Sequence, residues 1–139
     1  IRIPALTELP DVVRLCETSL QSERVTLDAL EEECVLQGKT HRVIVMADLG
    51  DLREGFWDKD EMVDVCVHVE RELPHVVLAG IGVNLTCYGS TKPTPEKMRE
   101  LPEAGDRLRR RHQLLHAGAL GYHAGANQSP AHRRGHPAG

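Results

Sequence analysis

Apolar and polar residues alternate along this chain in two rhythms, which together predict a repeated order of strand and helix. Short apolar runs mark the strands, and apolar residues three or four positions apart mark the helices. The predicted order is strand 1–3, helix 8–16, strand 18–21, helix 23–37, strand 43–47, helix 58–73, strand 76–85 and a helix from Thr94 onward. About four strand–helix units of this kind predict an α/β fold with a parallel sheet, either part of a (β/α)8 barrel or a doubly wound sheet.

Residues at the predicted helix ends support these boundaries. Ser22, Asp58 and Thr94 stand where a side-chain oxygen can accept hydrogen bonds from the free amides of the following helix. Gly38 predicts a left-handed stop after the helix 23–37. On the polar side of that helix, Glu31, Glu32 and Glu33 are expected to face solvent.

The most informative stretch is the strand 43–47 and the loop that follows it. The apolar run ends abruptly in a loop rich in charged residues and glycine, and the carboxyl ends of strands are where α/β proteins hold their active sites. Asp48 and Arg53 are therefore candidate site residues, with Arg53 placed to hold an anion or a ring oxygen and Asp48 to orient it. Two alternatives stay open: a Mg²⁺ site on Asp48 and Asp51, and a salt-bridged surface loop.

A second set of polar residues follows the next strong strand. Asn84, Thr86 and Tyr88 come at or just beyond its end. If the two strands are parallel neighbours, their loops open on the same face, and these residues converge with Arg53. Otherwise they form a hydrogen-bonded turn.

The chain changes character near Gly105. Residues 105–139 contain no Val or Ile, five of the eight His and six Gly, and their net charge is +5, against −9 for residues 1–104. Such a composition does not build a buried strand. We therefore expect an α/β domain at 1–104 and a basic His/Arg/Gly-rich tail at 105–139 that is disordered or translated out of frame, and we assign no function to the tail.

Cysteine spacing and charge argue against several classes of protein. The four cysteines are widely spaced and form no Cys-x-x-Cys pair, which fits reduced thiols in a cytoplasmic protein better than disulfides or a zinc site. No metal site is predicted, because the paired histidines near the end of the chain lack acidic or cysteine partners. We expect no signal peptide and no membrane span. The acidic main body disfavours nucleic-acid binding.

Three stretches carry a resemblance to a known family. Residues 48–55, D-L-G-D-L-R-E-G, resemble the D-x-G-x-x-R-x-G motif of the pyridoxal-phosphate (PLP)-dependent alanine racemase N-terminal barrel family. Together with G-I-G-V-N-L-T-C-Y-G at 80–89 and R-I-P-A-L-T-E at 2–8, the motif is similar to the ornithine racemase-like branch of that family. The stretches occur in the family's order, and the similarity covers roughly residues 1–100.

The resemblance implies a (β/α)8 TIM barrel that binds PLP at the carboxyl ends of its strands, with this chain as a middle part. Arg53 would match the arginine that approaches the phenolic oxygen of the cofactor, and Asn84 falls where alanine racemases keep a histidine packed against its ring. Asp48, Thr86 and Tyr88 would belong to the same cofactor site. The implied protein is a cytoplasmic, homodimeric isomerase that racemises an amino acid, with ornithine or a similar basic substrate favoured.

Two departures from the family pattern qualify this expectation. The family's Schiff-base lysine lies on the first barrel strand, whereas the lysines of this chain are predicted at a helix end or in helices and loops: Lys39, Lys59, Lys92 and Lys97. The family's glycine-rich phosphate-binding loop should follow the helix that begins near Thr94, where this chain has its basic tail. We therefore expect a racemase fragment, truncated at its start, that is inactive alone. The alternatives are a non-catalytic PLP-binding carrier barrel and a Mg²⁺-dependent barrel enzyme.

Overall fold

A computed structural model describes residues 3–50, 52, 54–84 and 94–117, with side chains in the last range up to residue 113. The elements are α1 (Leu9–Leu15), β1 (Thr18–Gln21), α2 (Arg24–Gln37), β2 (His41–Ala47), α3 (Lys59–Glu72), β3 (Val76–Val83) and α4 (Pro95–Ala117). A short 3-10 turn, Leu6–Glu8, precedes α1. The strands and helices predicted between residues 8 and 76 are confirmed to within about two residues at each end. The strand predicted at 1–3 lies mostly outside the described residues.

The three strands form one parallel sheet in the order β1-β2-β3. Each strand pairs with the next one along the chain, so α2 and α3 are the crossover connections. In this register Leu20 lies opposite Ile44, and Met46 lies opposite Gly82. The predicted parallel α/β sheet is therefore confirmed, with three strand–helix units in the described residues.

All four helices pack into a single core on one face of the sheet. β2 contributes Val43, Val45 and Ala47 to this core, and alternate residues of a strand point to the same face. The helices contribute Leu9, Val13, Leu27, Leu30, Cys34, Met62, Val65, Cys66, Val69 and Ala104. A doubly wound sheet carries helices on both faces. Helices confined to one face are instead the arrangement of a barrel wall.

The opposite face of the sheet carries Ile44, Met46 and Gly82. A Cβ atom added at Gly82 would lie 3.0 Å from Cγ2 of Ile44 and 3.0 Å from Sδ of Met46. The glycine therefore lets both side chains lie over the end of β3. This face corresponds to the interior of a barrel.

Three of the predicted helix-end signals are observed. Oδ1 of Asp58 accepts hydrogen bonds from two amides in the first turn of α3, at 2.8 and 3.2 Å. Oγ1 of Thr94 accepts one from an amide of the first turn of α4 at 3.3 Å. Gly38 ends α2 with a φ of 63°.

Two local predictions are wrong. Ser22 does not cap α2, because the helix begins at Arg24 and the capping position falls on Glu23, which makes no side-chain capping bond. Glu31 does not face solvent: its side chain is 13% exposed. One carboxylate oxygen of Glu31 accepts the backbone N–H of His75 at 2.8 Å, and the other lies 2.6 Å from Nδ1 of that residue. The bidentate contact ties α2 to the start of β3.

α4 continues across the predicted boundary at residue 105 and runs to Ala117. Its second half is joined to α3 by the ion pairs of Arg107 with Asp60 and of Arg111 with Asp64. His112 lies 3.3 Å from a carboxylate oxygen of Glu70, which is also in α3. Residues 118–139 lie outside the described residues, and the division of the chain at 105 stays a prediction. In the part of the chain that the structure describes, no helix combines the length and apolarity that a membrane span requires.

A buried polar cluster joins β1 to β2. His41 is 1% exposed, and its Nε2 lies 2.9 Å from Oγ of Ser19. Gln21 donates from Nε2 to the same hydroxyl oxygen at 2.9 Å. Burial lowers the pKa of His41 below its ordinary value of 6.5, opposed in part by the backbone of Cys16. His41 is therefore neutral in the folded chain at pH 7.

We predict that this neutral histidine makes the folded chain less stable in acid. Above pH 6.5, His41 is neutral in both the folded and the unfolded chain, so it adds no pH dependence. As the pH falls, the unfolded chain takes up the proton first, and the free energy of unfolding decreases by at most about 1.4 kcal/mol per pH unit from this group. Urea unfolding at a series of pH values should show a steeper decrease for the wild type than for His41→Gln. Equal slopes would contradict the prediction.

Candidate active site

The carboxylate of Asp48 organises the loop after β2. Its Oδ1 accepts the backbone N–H of Gly50 at 2.7 Å and that of Leu52 at 3.2 Å, and the residue is 6% exposed. Gly50 and Leu52 both have positive φ angles, 115° and 52°. An aspartate that binds the amides of its own turn stabilises such a backbone. The carboxylate of Asp48 therefore stabilises the backbone conformation of the loop.

The loop then returns to the strand that it left. The N–H of Phe56 donates to the carbonyl of Met46 at 2.8 Å, and the N–H of Asp48 donates to the carbonyl of Phe56 at 2.9 Å. Gly55 has a φ of 114°, and a Cβ atom there would lie 2.5 Å from the carbonyl carbon of Ala47. Only glycine fits such a position. The path of the backbone in this loop thus explains the spacing of Asp48 and Gly55 in the motif.

The end of β3 meets this loop. Asn84 directly follows the strand, and its Nδ2 donates to Oε1 of Glu54 at 3.1 Å. Glu54, in the loop after β2, and Asn84, directly after β3, therefore lie next to each other. Glu54 was not singled out from the sequence, although its place before Gly55 in the motif was a usable signal. The other residues predicted for this site lie outside the described residues: Asp51, Arg53, Thr86 and Tyr88.

Lys59, the first residue of α3, is half-buried against the same loop. Its Nζ donates to the carbonyl oxygens of Asp48, Phe56 and Trp57, the last two at 3.2 and 2.6 Å. Burial lowers the pKa of Lys59, and the negative charges of Glu100 and Asp48 oppose that shift. The sequence predicts this lysine outside the strands and indicates no role for it, because nothing local identifies its acceptors.

A cavity of about 300 Å³ opens beside the loop. Gly50 and Trp57 line it from the loop, Lys59 from α3, and Lys97 and Glu100 from α4. A larger, mainly apolar cavity of about 560 Å³ lies along α1 and β1 and is lined by none of the candidate site residues. The smaller cavity is the one that adjoins the loop after β2.

The described residues give no geometric support to the Mg²⁺ interpretation. Among them there is no group of three or more His, Cys, Asp or Glu side chains placed to hold a metal ion. Oδ1 of Asp48 already accepts two backbone amides. Its proposed partner Asp51 is outside the described residues.

The positions of the lysines agree with the sequence analysis. Lys39 follows α2, Lys59 begins α3 and Lys97 lies in α4. Within the described ranges no lysine is on a strand. Lys92 falls outside those ranges. A Schiff-base lysine at a strand end, as the family resemblance requires, is thus not among the described residues.

A parallel sheet with its helices on one face, and polar loops at the carboxyl ends of its strands, is the arrangement of part of a (β/α)8 barrel. The model of the family described as "Alanine racemase, N-terminal domain" matches residues 2–124. The chain belongs to this PLP-dependent family. The family predicted from the motifs is confirmed.

Three known proteins show the extent of the similarity. Ornithine racemase of Acetoanaerobium sticklandii is 40% identical over 109 residues, which are 78% of this chain and 31% of that protein. An alanine racemase of Clostridium difficile 630, solved in complex with cycloserine, has a TM-score of 0.64 at 18% identity, with 86% of this chain and 32% of that chain covered. PipY of Synechococcus elongatus PCC7942, solved with PLP bound, has a TM-score of 0.61 at 9% identity, with coverages of 80% and 51%.

These matches confirm the partial TIM-barrel fold. The chain spans about a third of the length of the two racemases and about half of PipY.

The described residues at this edge suit the ring of PLP. Ile44, Met46 and Gly82 lie together near the strand ends, where the missing side chain of Gly82 lets the other two lie over β3. Met46 is buried, whereas Ile44 and Gly82 are partly exposed and could pack against an aromatic ring. Asn84 follows two residues after Gly82, and its amide donates to Glu54.

We predict that Gly55→Ala destabilises the chain through this loop. The added Cβ atom would meet the backbone of Ala47 at 2.5 Å, at a φ of 114°, so the free energy of unfolding should fall by about 2 kcal/mol or more. Gly80→Ala is the matched control, since no atom of the described residues lies within 4 Å of its Cβ position, and it should change stability by less than about 0.5 kcal/mol. Urea unfolding of both variants measures the difference, and equal effects would refute the loop geometry.

Proposed function

We propose that this chain is part of a PLP-dependent amino-acid racemase and supplies one wall of its cofactor site. The observation that carries the proposal is the hydrogen bond of Asn84 to Glu54. It places the end of β3 against the loop that contains the D-x-G-x-x-R-x-G motif. In a barrel of this family, that is the edge at which the cofactor would lie.

The favoured substrate is ornithine or a similar basic amino acid. The 40% identity with an ornithine racemase supports this choice. The fold alone does not discriminate between substrates, because barrels with the same architecture carry many activities. The complete protein is proposed to act as a cytoplasmic homodimer.

The candidate residues take different roles in this proposal. Arg53 is assigned to the phenolic oxygen of PLP, on the family resemblance alone, where a fixed positive charge tunes the electronics of the ring. Asn84 packs at the ring, and Thr86 and Tyr88 line the same mouth. Asp48 acts through the loop, because its Oδ1 is bound to two backbone amides.

When bound, PLP withdraws electrons from the α-carbon of an amino acid joined to it, so that the α-proton becomes acidic. The described residues orient the ring and exclude water from its apolar side. Removal and return of the proton need a lysine and a second acid at the strand ends. A part of the protein other than the described residues supplies that lysine.

The isolated 139-residue chain is predicted to have no racemase activity. The reason is that none of the three described lysines lies on a strand, where the family's Schiff-base lysine is found. Chiral chromatography of ornithine, lysine and alanine incubated with the purified chain and PLP should recover only the starting enantiomer. Inversion of any of the three would contradict this prediction.

A chimera tests the proposed function itself. The 109 residues of the Acetoanaerobium sticklandii ornithine racemase that match this chain are replaced by the corresponding residues of this chain. The chimera is expected to racemise ornithine, because this chain supplies the cofactor-site wall and the host supplies the lysine. Arg53→Ala in the chimera should lower kcat/KM about 100-fold, the usual loss when one oriented charged donor is removed from a reaction centre.

Arg42→Ala is the matched control for Arg53→Ala. Arg42 is an exposed residue at the opposite end of β2, so its loss should leave kcat/KM unchanged. Equal activity of all three chimeras would contradict the role of Arg53. A folded chimera that binds PLP and racemises nothing would favour the carrier barrel instead.

A further inference from the structure

The acceptors of the Lys59 ammonium group are backbone carbonyl oxygens. Nζ donates to three backbone carbonyls, those of Asp48, Phe56 and Trp57. A lysine ammonium carries three N–H donors. The three bonds therefore use the full donor capacity of the group, and none of them goes to a side-chain carboxylate.

The three carbonyls belong to the two sides of the loop junction. Asp48 directly follows the end of β2, whereas Phe56 and Trp57 lie at the far end of the loop, where the chain returns to β2. The carbonyl of Phe56 also accepts the N–H of Asp48 at 2.9 Å. Backbone hydrogen bonds form the first link across this junction. Lys59 therefore adds a second link between the same two parts of the chain. Breaking the lysine contacts would take a donor from the part-buried carbonyl oxygens of Asp48 and Phe56, which is costly.

This arrangement argues against a nucleophilic role for Lys59. A lysine that forms an imine needs a free amine facing the substrate. Here all three donors are directed at the protein's own backbone, and the stem rises from the first turn of α3. Trp57 covers the charge, with its ring centroid 5.8 Å from Nζ, within the range of a cation–π contact.

We propose that Lys59 is a positioning residue that acts as a built-in monovalent cation: its ammonium holds the carbonyls of Asp48, Phe56 and Trp57 together and thereby fixes the loop at the end of β2. The consequence for the cofactor site rests on the proposed function, because the same loop carries the motif residues. The contact itself is a property of the chain alone.

Chemical rescue tests this inference on the purified chain. Lys59→Ala removes the ammonium and opens a space that a small free cation can enter. Amide hydrogen exchange at Gly50, Leu52 and Phe56 should become about tenfold faster or more, while exchange in β1 stays at its wild-type rate. Ammonium or methylammonium chloride should restore the slow exchange. Tetramethylammonium chloride at the same ionic strength should not, because it has no N–H to donate.

Trp57 provides an independent signal. It is the only tryptophan of the chain and lies over the charge in question, so its fluorescence emission should change in Lys59→Ala and return on addition of ammonium. Lys97→Ala is the matched control, since Lys97 lines the same cavity from α4, and its loss should leave the loop amides and the emission unchanged.

Lys59→Met distinguishes the missing charge from a missing stem. Its side chain fills the space, so the loop amides should exchange fast and ammonium should have no effect. The proposal is overturned if loop exchange in both variants stays at the wild-type rate, or if protection is lost equally in β1 and in the loop. None of these measurements requires PLP. An inactive chimera with a rescued loop would therefore refute the proposed function without affecting the role of Lys59.

Discussion

The return of the loop to the end of β2 is the contact on which the candidate site depends. Two backbone hydrogen bonds join Phe56 to the strand end, and they form only because Gly55 lets the backbone pass against Ala47. The carboxylate of Asp48 folds the turn between them. The motif was first identified through its candidate site residues. Its main effect in the structure is therefore to stabilise a tight loop of fixed shape.

The hydrophobic core lies on one face of the sheet, and this determines which residues surround the loop. Because the helices pack on one face of the sheet, the other face is left for the interior of a barrel, where Ile44 and Met46 lie over Gly82. Parallel pairing puts the ends of β2 and β3 at one edge, and Asn84 meets Glu54 there. The chain thus places an apolar group of side chains next to a polar pair, and no helix of the described residues lies between them.

Local signals predicted most of the fold, whereas contacts between distant elements escaped them. Apolar periodicity located the helices and strands, and Asp58, Thr94 and Gly38 marked helix ends, because each of these effects acts within a few residues. The partner of Glu31 is His75, 44 residues away, and no local pattern points to it. The carbonyl contacts of Lys59 were missed for a different reason, since backbone acceptors leave no trace in side-chain identity. Asn84 was predicted beside the loop after β2 because parallel strands bring their loops together, a rule that needs only topology. It contacts Glu54 of that loop, and its role at a cofactor stays a prediction.

The ends of β2 and β3 are proposed to form one wall of a PLP site, and a crystal structure of the racemase chimera grown with PLP would test this. Electron density for the cofactor ring is expected over Ile44 and Gly82, with Asn84 and Arg53 in contact with it. Cofactor density at another edge of the barrel, with these residues facing solvent, would contradict the proposal.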